Sequence, residues 1–291
     1  MQKKNSRKNK NCKFCGKSLS GIYCHSCNCL TPNRRNESQD RNATFTDYSY
    51  NRYESSIRSR LYKKWINFSV SLFVNNTDGK KLLNILFSPL LGGRPQINFS
   101  DKESILDVGC GKGSFLAGLP RKWEKHGCDI VDYGLKNKNI TIGNFETLKI
   151  KRKYSIVRSS HSLEHSQNPK LFLKRMIGST ENGGTIVILS PNSDSLAYKI
   201  FGKKWFTLDV DSHYCIMNIP SVSDFLEKNG CKVIYKRTYS LLSSPGSFCS
   251  FFGMQNSVFA LALVSIAFLP LLAIEQISGR ADSFVIYAKK I

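Results

Sequence analysis

Short apolar runs, punctuated by glycine and asparagine, recur along the middle of this chain and predict alternating strands and helices. Ile105 to Val108 forms a strand that ends in Gly109-Cys-Gly-Lys-Gly113, and Ser114 to Leu119 is helix-capable beyond it. Glu124 to Cys128 is a second short strand, and Ile140 to Glu146 is a third that ends in a polar residue. Tyr154 to Arg158 makes a fourth, and Gly183 to Asn192 reads as a turn, a buried fifth strand and a stop. Between the last two lies a well-signalled helix. Asn168 is placed to cap it, Pro169 suits its first turn, and Leu171, Phe172, Met176 and Ile177 supply an apolar face. Ser221 to Asn229 is another helix, closed by Gly230. Cys231 to Tyr239 then alternates as a strand, and Asp282 to Lys289 is the last one. The whole is the β/α alternation of an open, mostly parallel sheet.

The glycine-rich turn after the first strand lets backbone approach a ligand closely, because glycine has no side chain and tolerates positive φ. It does not fit a P-loop, and against the dinucleotide fingerprint its third glycine comes one residue early. With Asp107 in front, Asp107-Val-Gly-Cys-Gly-Lys-Gly113 resembles motif I of the class I S-adenosylmethionine-dependent methyltransferases. The order and spacing of the later strands resemble that family from Leu82 to Lys290. The resemblance implies an α/β, Rossmann-like open sheet of about seven strands in the order 3-2-1-4-5-7-6, the last strand antiparallel. It also implies S-adenosylmethionine as cofactor. Asp107, Gly109, Cys110, Gly111 and Gly113 would surround its methionine portion and ribose, Cys110 through backbone shape. Asp129 would hold the ribose hydroxyls, and Asn144 with Phe145 would face the adenine. Two departures stand out: Asn144 replaces the family's usual Asp, and Tyr154-Ser155 replaces a usual Phe-Asp.

Charge adds a second theme. The 291 residues carry a formal net charge of +22, and about half of that excess lies before Trp65. Such a flank favours polyanions: nucleic acid, or the anionic inner leaflet of a membrane. The opening residues have charges but no apolar core behind them, which is not the pattern of a secretory signal. In a reducing, cytoplasmic setting, clustered cysteines point to metal rather than disulfides. Of the ten cysteines, Cys12, Cys15, Cys24 and Cys27 form two Cys-x-x-Cys knuckles, the ligand set of a structural Zn²⁺ in a small ribbon. Cys29 is a spare beside them. The expected organisation is a zinc ribbon with its basic arm at 1–32, then a linker and N-terminal helices at 33–80. A methyltransferase core at 81–240, a hydrophobic insertion at 241–280 and a last core strand at 281–291 follow. Within the second region Tyr48, Tyr50 and Tyr53 either line a lid or pack as core.

The insertion is apolar from Val258 to Ile274, broken only by Ser265 and Pro270. If its flanking strands belong to one sheet, as the resemblance implies, the chain must leave and return on the same side, which excludes a single span. An in-plane helix or a helical hairpin bent near Gly253 to Asn256 or at Pro270 remains, with membrane contact favoured over a partner surface or ordinary core.

The acceptor side is expected at His161-Ser-Leu-Glu164-His165 and Asp209-Val-Asp-Ser-His213. If locally helical, His161, Glu164 and His165 share one face. His165 and His213 are the candidate catalytic residues, as general bases for a hydroxyl proton. Some methyltransferases carry a divalent-metal site of this kind, so His161, Glu164, His165 and His213 are also a candidate metal set. A structural role in hydrogen bonding is the third reading. Ser190-Pro-Asn192, Phe201-Gly-Lys-Lys-Trp205, Leu208-Asp209 and His213 together resemble a bacterial subgroup found with cell-envelope glycan and lipid pathways. Trp205 and Phe206 then meet a sugar or isoprenoid chain, or simply pack. The leading expectation is an O-methyltransferase resting on the inner membrane face, acting on a lipid-linked sugar, polysaccharide precursor or isoprenoid-type lipid. An RNA methyltransferase that uses the ribbon and basic arm is the alternative, and a non-catalytic S-adenosylmethionine-binding protein is a third reading.

Overall fold

The structure, a computed structural model, describes residues 11–32, 99–100, 103–134, 138–240, 243–254 and 257–291. The linker, the early helices and the tyrosines expected between 33 and 80 lie outside the described residues.

Seven strands form one sheet: β1 (Ser104–Val108), β2 (Glu124–Asp129), β3 (Ile140–Ile142), β4 (Tyr154–Ser160), β5 (Thr180–Pro191), β6 (Cys231–Tyr239) and β7 (Ser283–Lys290). Their order is β3-β2-β1-β4-β5-β7-β6, as the resemblance implied, with β7 antiparallel to both neighbours. The central strands are buried on both faces, which explains their unbroken apolar runs. Alternation still divides them. Leu106, Val108, Ile186, Ile188, Phe284 and Ile286 join one cluster, and Ile105, Val187, Val285 and Tyr287 the other.

Four helices follow the strands in sequence: α1 (Ser114–Gly118), α2 (Pro169–Ser179), α3 (Leu196–Phe201) and α4 (Ile219–Lys228). The side chain of Asn168 caps α2 by accepting the Leu171 N–H at 3.1 Å. Leu171, expected on the apolar face, is exposed. Leu173 takes the buried place, because the inner face follows 172, 173, 176 and 177.

The N-terminal module sits against the α2 and α4 face. Leu30 and Ile216 exchange backbone hydrogen bonds, and the Phe14 ring lies 6.1 Å from Phe225. Asn218 Nδ2 and Ser221 Oγ both donate to the carbonyl of Cys27, at 3.0 and 2.7 Å. A module this small buries little surface of its own, and here it borrows the core of its neighbour.

The hydrophobic insertion folds as α5 (Ser243–Phe251), α6 (Val258–Ala267) and α7 (Leu269–Ile277). A turn with Gly253 at φ +72° follows α5, and α6 meets α7 at 61° next to Pro270. Among the described residues, no single helix is long and apolar enough to cross a membrane. A polar seam ties the insertion down. Ser244 donates to the buried Glu275, Ser243 N–H to Asp282 at 2.8 Å, and Gln276 to the Thr238 carbonyl at 2.8 Å. Burial pushes the Glu275 carboxyl up to about 7, against the Ser244 hydrogen bond.

Candidate active site

Strands β1 to β5 run parallel, so their carboxyl ends share one edge, where open α/β sheets place their ligands. At the end of β1, Gly109, Gly111 and Gly113 all have positive φ, at +73°, +54° and +74°. A Cβ on Gly109 would lie 1.8 Å from Ser162 Oγ, so this residue is fixed by close packing. A Cβ on Gly111 would meet nothing within 4 Å, which leaves open space beside the loop for a ligand. Asp129, at the end of β2, anchors that loop. Its Oδ2 accepts the Gly111 N–H at 2.7 Å and its Oδ1 the Val131 N–H at 2.9 Å. Burial raises the Asp129 carboxyl, and those two N–H donors pull it back. Beside it Ile130 is 40% exposed, an apolar surface of the kind a purine face covers. These residues fit a nucleoside cofactor.

Three expected cofactor residues have other partners. Asp107 is buried and pairs with Arg158 Nη1 at 2.6 Å; burial raises its carboxyl and the guanidinium opposes that. Arg158 was not anticipated, although an arginine inside an apolar strand is buried only with a partner. Cys110 is buried too, its sulfur in the place a Cβ on Gly127 would need, so it contributes backbone alone. Phe145, expected against the adenine, is core instead. Its ring lies 5.0 Å from Phe172 and under the Arg175 guanidinium, because β3 stops at Ile142 and the chain turns inward. Asn144 stabilises that turn by accepting the Glu146 N–H at 2.9 Å.

On the acceptor side, only Leu163–His165 is helical, as a single 3₁₀ turn, and His161 precedes it with φ +53°. A non-glycine residue in that region signals a constrained site. Glu164 is 1% exposed and stands at the centre. His161 Nδ1 lies 3.3 Å from one of its oxygens, and Ser190 Oγ donates to the other at 3.0 Å. Burial works to raise the Glu164 carboxyl, but the His161 imidazole beside it holds it down to about 2. His165 Nδ1 is 3.1 Å from the Ser212 carbonyl, which can only accept; the proton therefore sits on Nδ1 and the lone pair on Nε2. The His165 and His213 rings are 4.7 Å apart. His213 is buried, its Nδ1 has no hydrogen-bond partner among the described residues, and burial lowers its basicity to about 4.

Glu164, His165 and His213 each bring one ligand atom within 4.8 Å of the others. His161 stands outside that set, its Nε2 lying 3.3 Å from the Tyr239 hydroxyl. In the N-terminal module the sulfurs of Cys12, Cys15, Cys24 and Cys27 also lie within 4.8 Å of one another. A tetrahedral site with metal–sulfur bonds of about 2.3 Å spaces its sulfurs about 3.8 Å apart, so this set also fits. Trp205, expected to meet a ligand or to pack, is buried, its indole N–H donating to Ser243 at 2.5 Å, whereas Phe206 is exposed.

Residues 77–236 match the model of the methyltransferase domain family. The chain belongs to that family. It is a class I S-adenosylmethionine-dependent methyltransferase, with the strand order and glycine loop described above. No curated protein sequence matches it. Among solved structures it is similar to magnesium protoporphyrin IX methyltransferase from Synechocystis with bound SAH, at 11% identity and TM-score 0.48, over 86% of this chain and 98% of that one. It is also similar to an S-adenosylmethionine-dependent methyltransferase from Clostridium acetobutylicum, at 13% identity and TM-score 0.42, over 79% and 99% of the two chains. A mycolic acid cyclopropane synthase complexed with SAH matches at 14% identity and TM-score 0.43, over 65% and 78%. None of these likenesses bears on the acceptor of this methyltransferase.

Two outcomes follow from the geometry. Gly109→Ala should weaken S-adenosylmethionine binding by about tenfold or more, measured by calorimetry. Adding Ser162→Gly should recover part of the loss; no recovery would mean that the Ser162 contact is not the cause. Burial holds the His213 imidazole down to about 4, below the ordinary histidine value near 6.5. Between those pH values the unfolded chain holds the extra proton, so stability falls as pH drops through the window. His213→Gln should therefore flatten that acid limb by up to about 1.4 kcal/mol per pH unit, read from denaturation midpoints. An unchanged slope would show that His213 is not buried neutral.

Proposed function

We propose that this methyltransferase modifies an oxygen of a membrane-associated acceptor: a lipid-linked sugar, a polysaccharide precursor or an isoprenoid-type lipid. The observation that carries the reading is the outer surface of α5 to α7. Phe251, Phe252, Phe259, Leu263, Ile266, Leu269, Ile274 and Ile277 are all exposed, Phe259 at 74%. Contiguous apolar surface of this kind marks a lipid or partner contact. Lys203 and Lys204 flank it, and the chain's charge of +22 suits an anionic leaflet, which supports a seat on the cytoplasmic face.

S-adenosylmethionine, when bound, supplies a methyl group already activated on a sulfonium. The protein's task is then position and proton removal. In this reading His165 takes the acceptor's hydroxyl proton at Nε2, and the Glu164 charge steadies the imidazolium that results. His213, buried and neutral, fixes the pair from behind. We further infer a structural zinc on Cys12, Cys15, Cys24 and Cys27, since four thiolates close a tetrahedral shell. Elemental analysis should find one zinc per chain, lost together with ribbon docking in Cys24→Ser; a zinc-free, fully stable chain would exclude it.

The functional test is transfer of radiolabelled methyl from S-adenosylmethionine into fractionated extract of the native host, with Asp129→Ala as control. Label is expected in organic-soluble or glycan material. Label confined to nuclease-sensitive material would replace this acceptor with RNA. Flotation with anionic vesicles should persist in high salt, because apolar insertion is not screened, whereas RNA binding falls steeply.

A further inference from the structure

A cavity of about 620 Å³ opens on the same sheet edge, apart from the glycine loop, where the N-terminal module, the segment after β5, the start of α4 and the end of the insertion meet. Tyr23 and Asn28 come from the N-terminal module, Asp194 from the loop after β5, Tyr198 and Lys199 from α3, and Arg280 from just beyond α7. The volume is that of a small-molecule site, which typically spans about 300–1,000 Å³. Both tyrosines are held by neighbours. Tyr23 donates its hydroxyl to Asn28 Oδ1 at 2.7 Å, and the Tyr198 ring lies 5.8 Å from that of buried Trp205. Neither ring loses much freedom on meeting a ligand.

The lining chemistry is specific. Tyrosine rings cover the C–H faces of a pyranose while their hydroxyls stay wet. An amide and a carboxylate pair with sugar hydroxyls. Two cations against one carboxylate leave a net positive charge, enough for a phosphate ester but poor for a neutral sugar. We propose that this cavity binds a glycosyl phosphate, the head of the acceptor. The identification as acceptor rests on the reading given under Proposed function. The location supports it. Asn192 and Ser193 also line the cavity, and they follow Ser190, whose hydroxyl holds Glu164. On the other side Ile277, 87% exposed, immediately precedes the wall at Ser278 to Arg280. A chain attached to the bound head would run out along α7.

The test uses the full chain and four probes in calorimetry: N-acetylglucosamine, inorganic phosphate, N-acetylglucosamine 1-phosphate, and the same sugar on farnesyl diphosphate. The sugar phosphate should bind at least about tenfold more tightly than either of its parts. Arg280→Ala and Tyr198→Ala should each weaken it by about tenfold, with S-adenosylmethionine affinity unchanged. A still tighter farnesyl-linked probe identifies a lipid-linked source, and equal affinities a soluble one; both support the site. Failure of both sugar phosphates to bind, or inorganic phosphate binding as tightly as they do, would overturn the proposal. Label in the lipid fraction alongside that failure would keep the membrane acceptor and remove only this cavity as its seat.

Discussion

The acceptor half of this enzyme is organised around one buried negative charge. Glu164 is almost wholly removed from water, yet it is held ionised by His161 beside it, with Ser190 donating to its other oxygen. A carboxylate in that position without partners would neutralise itself or destabilise the fold. Its backbone matters as much as its side chain. The Glu164 carbonyl accepts the N–H groups of Tyr214 and Cys215, which brings His213 beside His165 and sets Ile216 against Leu30. One residue thus connects the end of β4 with the second histidine segment and, through it, with the N-terminal module.

The cofactor half rests on a different device. There the load falls on backbone, with Asp129 gripping the N–H of Gly111 and Gly109 pressed against Ser162. Ser162 is also the residue before the 3₁₀ turn that carries Glu164. The two halves therefore share a seam, and a shift of the glycine loop is felt at the histidines. For a displacement reaction that depends on alignment, this stiffness is the useful property.

Much of this was legible in the sequence, for a physical reason. The strands follow from apolar runs of the right length, their order in the sheet from the family resemblance, and the glycine loop from residues whose backbone freedom nothing else supplies. What sequence could not give was partnership. Asp107 reads as a ligand contact until Arg158, 51 residues away, is seen to hold it. Phe145 reads as an adenine contact until the short β3 turns it into the core beside Phe172. Nothing local in the sequence marks Cys215 as a member of the same apolar cluster as Cys12, Cys24 and Cys29. Long-range contacts of this kind leave no local period to detect. The docking of the N-terminal module, which depends on Leu30, Phe14 and Cys27, was illegible for the same cause.

The insertion shows how topology assigns a role to a segment whose composition is ambiguous. Because β7 is antiparallel and lies between β5 and β6, the chain leaves β6 and enters β7 at the ligand-bearing edge. The apolar helices must therefore lie there and nowhere else. Their few polar groups turn inward: Glu275 to Ser244, Gln276 to the Thr238 carbonyl, Ser243 to Asp282. Their large apolar groups turn outward, the reverse of an ordinary surface helix. Lys204 lies 3.7 Å from the Phe251 ring, so the rim of that surface is basic. On the reading proposed above, an apolar face with a basic rim would meet an anionic lipid surface. An acceptor drawn from that surface would reach the histidines without crossing open solvent.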